Sequence, residues 1–122
     1  MTLQELYAAI GGDYDKAVQV LRVEKLIDKH IRKLMKNGVV DSLIAAGESM
    51  DPTQLFETAH AVKGVCANLG LTELSDAASD IAEEYRPGNE RKLTDEEVSA
   101  KLQEIAAMYQ RTVDGIRQYE EA

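Results

Sequence analysis

The sequence predicts an all-α fold: an antiparallel four-helix bundle with short additional N-terminal helices. Three observations carry this. Aromatic residues make up only 5% of the 122 residues, with no Trp and one Phe, while the strong helix formers Ala, Leu, Glu, Lys and Gln abound. Both prolines, Pro52 and Pro87, stand at segment edges, where they do not break a helix. Apolar residues recur three and four apart over long stretches, and strand-type alternation is hard to find.

The elements follow in order. Leu3 to Ile10 forms a short amphipathic helix, stopped by Gly11-Gly12, and Asp13 caps a second that reaches about Leu21. From Val23 the apolar residues Val23, Leu26, Ile27, Ile31 and Leu34 keep helical spacing up to Asn37-Gly38, a C-cap signal, which gives a bundle helix over 23–36. A short segment from Val39 to Ala46 ends at Gly47. The next bundle helix, 53–69, starts with Asp51 as cap, Pro52 in the first turn and Gln54 where a capping box takes Glu or Gln. Gly70 stops it. The third, 72–85, places Leu74, Ala77, Ala78, Ile81 and Tyr85 on one face and breaks at Pro87-Gly88. The last, 94–119, opens on a Thr94–Glu97 capping box and buries Val98, Leu102, Ile105, Tyr109, Val113 and Ile116.

At this length, with 44% hydrophobic and 30% charged residues, the chain reads as one domain over 1–122. It is large enough to bury a core and too small to hold a nucleotide-binding domain as well. Fourteen basic against 22 acidic residues give a net charge of −8, which argues against a nucleic-acid binder. Residues 1–60 hold seven basic and nine acidic groups, residues 61–122 seven and thirteen, so the acid excess lies mostly beyond the middle. Lys25, Lys29, Arg32, Lys33 and Lys36, interleaved with Glu24 and Asp28, read as a solvated helix face. Cys66 is the single cysteine, which excludes an internal disulfide and reads as a small core hydrophobe. No leader-like or membrane-spanning stretch is found, so a cytoplasmic, membrane-free monomer is expected.

Helix 53–69 departs from a plain amphipathic pattern. Around its axis, Leu55, Thr58, Ala59, Val62, Val65, Cys66 and Leu69 centre roughly 200° from His60. His60 therefore points to water, with Phe56, Lys63, Gly64 and Ala67 within about 60° of it. Each has an ordinary explanation: a polar surface histidine, a solvated lysine, a phenylalanine under the 38–52 connection. Gly64 is harder to explain, because glycine within a helix costs about 1 kcal/mol relative to alanine and the outer face needs no close helix approach. Together the residues suit phosphoryl chemistry. A neutral imidazole is nucleophilic near pH 7 and its N–P bond is labile. Lys63 offsets phosphoryl charge, Gly64 leaves room for a partner's site, and Phe56, Ala67 and Asn68 supply docking contacts.

The run from Ala59 to Leu71, His60-Ala61-Val62-Lys63-Gly64 followed by Gly70-Leu71, resembles the signature of histidine-containing phosphotransfer (Hpt) domains. Thr72 to Tyr85 resembles the helix that follows it there, and Gly11-Gly12-Asp13-Tyr14 the N-terminal turn of many stand-alone members. The resemblance implies that His60 accepts a phosphoryl group, on Nε2, from a receiver-domain aspartyl phosphate and passes it to another receiver. It also implies response-regulator receivers and a hybrid sensor histidine kinase as partners. No cofactor of the chain's own is implied, Mg2+ being supplied by the receiver. Members often carry a Glu or Gln 22 residues after the His to hold the other ring nitrogen; here Ala82 stands there, with Ser79 and Glu83 nearby.

The chain has no phosphate-binding loop or Gly-rich kinase box, so another protein must phosphorylate His60. Two rival readings remain. A helical adaptor would use the same surface without phosphoryl chemistry. A metal-binding bundle would use the Glu57-x-x-His60 pair, but the other histidine, His30, has Ile27 three positions before it rather than a Glu, so no metal ligands are assigned. The start at Met1 favours a stand-alone protein, and the −8 charge is expected to lie mainly away from the His60 stripe, with Glu57 its nearest acid.

Overall fold

The computed structural model describes residues 1–121; Ala122, the last residue of the expected domain, lies outside them. Seven helices are present among the described residues and no strand: α1 Leu3–Ile10, α2 Tyr14–Leu21, α3 Glu24–Lys36, α4 Val39–Ser49, α5 Pro52–Asn68, α6 Thr72–Tyr85 and α7 Asp95–Glu121. Helices α5 and α6 form the most extensive pair; α4 packs on α5 and α7, and α6 closes the bundle against α7.

This alters one arm of the expected bundle. The segment beginning at Val39 does not end at Gly47 but runs to Ser49, burying Val40, Leu43 and Ala46. Gly47 is kept for closeness, not for stopping: a β-carbon there would lie 2.4 Å from Leu102 Cδ1 of α7. With 27 residues α7 is about 40 Å long, and neither α3 nor α4 alone can cover it. They divide the work. α4 covers the part around Leu102, and α3 is tied to the far end, where Tyr119 Oη donates to Asp28 Oδ1 at 2.6 Å and Arg32 pairs with Glu120 at 3.1 Å. The break between them is Gly38, in the left-handed region at φ 68°.

Several local expectations shift for stated reasons. On α3 the buried stripe is Ile27, Ile31 and Leu34; Leu26 lies about 100° off it and is 41% exposed, and Val23, in extended backbone before the helix, is 52% exposed. At α5 the Asp51 carboxylate accepts from the Thr53 amide at 3.0 Å, so the cap rests on aspartate rather than on a box with Gln54. The Thr94–Glu97 box forms in both directions at 3.1 Å. A second box, Thr2–Glu5, starts α1 on the same Thr-x-x-Glu spacing. All six apolar positions named on α7 are buried.

The N-terminal helices lock onto the end of α5. Tyr7 Oη donates to the Leu69 carbonyl at 2.7 Å in a buried contact, and the Asp13 amide donates to the Gly70 carbonyl at 2.8 Å. The turn that positions the rest of the motif is thus held by residues more than fifty positions earlier in the chain.

Candidate functional site

The inner face of α5 anchors the site. Leu55, Ala59, Val62 and Cys66 are fully buried, while Thr58 and Val65, also expected in the core, are half-buried. Thr58 instead donates its hydroxyl to the Gln54 carbonyl at 2.7 Å. Burial pushes the Cys66 thiol up to about 12, so it stays protonated and inert. Between α5 and α6, Ser75 Oγ donates to the Lys63 carbonyl at 3.1 Å, which fixes the register of the hairpin bearing the outer face.

On that outer face His60 is exposed, as are Gly64 and Asn68; Phe56, Lys63 and Ala67 are half-buried. The His60 ring lies against Phe56, centroids 5.8 Å apart and planes 21° from parallel. Phe56 is therefore not a stray apolar residue: it packs against the core and stacks its ring with that of His60. Its ring is contacted from α6 by Arg86, whose guanidinium carbon stands 5.7 Å from the ring centroid, within cation–π range. Arg86 in turn holds Glu83 through Nη2 at 2.7 Å and Nε at 3.1 Å. That hydrogen-bonded pair, and then the charge of Lys63, keep the Glu83 carboxyl below its ordinary value.

The surface around His60 thus carries two cations, Lys63 and Arg86, and two acids, Glu57 and Glu83. Glu57 lies three residues before His60 on α5, and Glu83 on α6 joins the same surface through Arg86, which links it to the Phe56 ring. Arg86 is the residue the sequence reading missed. Its signal was only its place, one residue beyond α6 and before Pro87, and a helical wheel of α5 cannot show a side chain arriving from the neighbouring helix.

Gly64 stands out among the glycines. A β-carbon built there meets nothing within 4 Å, and the backbone is helical. The equally open Gly38 and Gly88 take left-handed φ values of 68° and 93°, and at Gly12, Gly47, Gly70 and Gly115 a β-carbon would meet another atom at 2.2–2.7 Å. The fold makes no use of its bareness. Ala67 and Asn68 lie at the C-terminal end of the helix, Asn68 about 12 Å along the axis from His60, and the structure does not bring them into the His60 cluster. On the other flank of α5, Ala61, Glu57 and Val65 face Val39 and Ser42 of α4 across a shallow groove of about 440 Å³. Ala82 is buried and carries no polar atom to hold the imidazole; Ser79 is half-buried on the same helix. His30 is exposed on α3, and among the described residues no three His, Cys, Asp or Glu side chains are grouped to hold a metal ion.

The helical bundle presents an imidazole outward, with a cation, a bare glycine and an aromatic ring around it, on an open surface rather than in an enclosed pocket. The model of the Hpt domain family matches residues 3–115, and the chain belongs to that family. Hpt domains are phosphotransfer modules of two-component phosphorelays, without kinase machinery of their own, and they work with response-regulator receivers. No curated protein and no solved structure matched the chain. No described helix is long and apolar enough to cross a membrane.

Proposed function

We propose that this protein is the intermediate of a phosphorelay, with His60 taking a phosphoryl group from the aspartyl phosphate of one receiver domain and delivering it to another. The observation that carries the reading is an exposed imidazole one helical turn from a glycine whose open flank the fold does not need.

In the forward step the Nε2 lone pair of the neutral ring attacks phosphorus. The N–P bond forms as the bond from phosphorus to the aspartyl oxygen breaks, and that electron pair leaves on the carboxylate. The Nδ1 proton stays on the ring, so the ring carries positive charge beside the phosphoryl group. In the return step the carboxylate of a second receiver attacks, and the N–P pair goes back to Nε2. Lys63 balances charge on the phosphoryl oxygens, and Gly64 lets the receiver's acidic site descend onto the ring. Mg2+ held by the receiver would supply further neutralisation of phosphoryl charge. The groove between α4 and α5 gives the receiver an apolar shoulder beside the reacting atoms. The phosphoryl donor upstream is a hybrid sensor histidine kinase acting through its receiver, and the protein works as a cytoplasmic monomer.

The test is phosphotransfer. Incubated with labelled phospho-receiver, the wild-type protein should gain acid-labile label that His60→Gln abolishes and His30→Gln leaves unchanged. Label that survives His60→Gln would sink the assignment, and a protein that never takes label would be a helical adaptor instead.

A further inference from the structure

We infer that Phe56 and Arg86 form the device that positions the His60 ring for transfer, an inference that rests on the phosphorelay reading. A phosphoryl acceptor on a mobile surface side chain must be held near one attack geometry, and a misplacement of about 1 Å can slow a transfer roughly a hundredfold. The α6 side offers no polar holder at Ala82, a buried methyl group. What reaches the ring is an aromatic face: Phe56, one turn before His60 on α5, lies 5.8 Å away at a 21° interplanar angle. Offset stacking of this kind fixes the plane of the imidazole and leaves both nitrogens free for the phosphoryl group and for water.

Phe56 is itself restrained. Arg86 stands over its ring at 5.7 Å and is pinned by two nitrogens to Glu83, so α6 holds Phe56 and Phe56 holds His60. The order of contacts is Glu83, Arg86, Phe56, His60. Phe56 is half-buried against the core, with His60 and Arg86 also at its ring, and is less available for docking than its place on the outer face suggests. It acts as a positioning residue, through His60, and Arg86 acts through Phe56.

Two readouts on the intact protein test this. The chain has two histidines, so its imidazole proton resonances form a small set in which exposed His30 is the internal reference. Stacking should shift the His60 ring protons upfield of those of His30. Phe56→Leu should remove the shift, Arg86→Gln reduce it, and Phe56→Tyr retain it. In single-turnover transfer from a phospho-receiver, Phe56→Leu should lower the rate at saturating receiver by about tenfold and leave the half-saturating concentration within about twofold. Phe56→Tyr should restore the rate. A variant whose saturated rate is unchanged while half-saturation rises would make Phe56 a docking contact and overturn the proposal, as would His60 resonances that ignore Phe56→Leu. If the wild-type protein takes no phosphoryl group, the relay reading fails, and the resonance positions alone decide whether the ring is held.

Discussion

Added to Gly64, a β-carbon meets nothing within 4 Å, whereas on Gly70 it would lie 2.2 Å from the Asp13 carbonyl oxygen. Both glycines belong to the same motif, yet the fold needs only Gly70; the open flank of Gly64 is what the proposed transfer would use. Glycine inside a helix carries a cost that alanine does not, so Gly64→Ala should stabilise the protein by about 0.5–1 kcal/mol, read as a rise in the urea midpoint. Gly64→Gln should leave the bundle folded and cut phosphotransfer by at least about tenfold; unchanged transfer would remove the functional reason for that glycine. The outward direction of His60, Lys63 and Gly64 was legible in the sequence, because one helix and its 100° step decide it. Arg86 was not legible, since its approach depends on how α5 and α6 pack.

At the level of elements, the hairpin of α5 and α6 depends on the turn at Gly70. That residue sits at φ 70°, accepts from the Asp13 amide and has Asp13 and Ala17 backbone against its α-carbon. Gly70→Ala meets both the left-handed strain and a backbone clash, and should destabilise the protein by roughly 2–4 kcal/mol, measured by denaturant unfolding. A loss below about 0.5 kcal/mol would show that α2 does not depend on this contact. Packing between helices also sets the true end of α4 at Ser49. A glycine near a helix end looks like a stop signal, and only the approach to Leu102 shows that Gly47 lies within the helix. Val23 and Leu26 erred the other way: their spacing suits a core stripe, but α3 buries only its Ile27, Ile31 and Leu34 row.

For the whole molecule, the connection from α6 to α7 is held by one acid. Glu84 is buried and accepts from the Leu93 amide at 2.9 Å, the Lys92 amide at 3.0 Å and Arg91 Nε at 3.0 Å. Desolvation pushes its carboxyl up, but these donors outweigh it and the net shift is downward. A carboxyl depressed in the folded state adds stability above its unfolded value and loses it as pH falls through the folded one. Stability should therefore decline as pH drops below about 4.3, the ordinary glutamate value. Glu84→Gln should lower the thermal midpoint at pH 7 and flatten that acid limb; an equally steep limb would place the acid sensitivity elsewhere. The charge map follows the same logic. Lys25, Lys29, Lys33 and Lys36 stand exposed on α3, away from His60, and the surface around His60 is electrically balanced. A partner with an acidic phosphorylation site meets little repulsion there.

The central claim, that His60 carries phosphoryl groups between two aspartyl phosphates, is tested most directly by a two-receiver relay. One receiver is loaded with labelled phosphoryl, separated from its kinase and mixed with this protein and a second, unlabelled receiver. The label should appear first on His60 and then on the second receiver, and with His60→Gln it should stay on the first. Label reaching the second receiver equally fast with His60→Gln, or in the absence of this protein, would contradict the account.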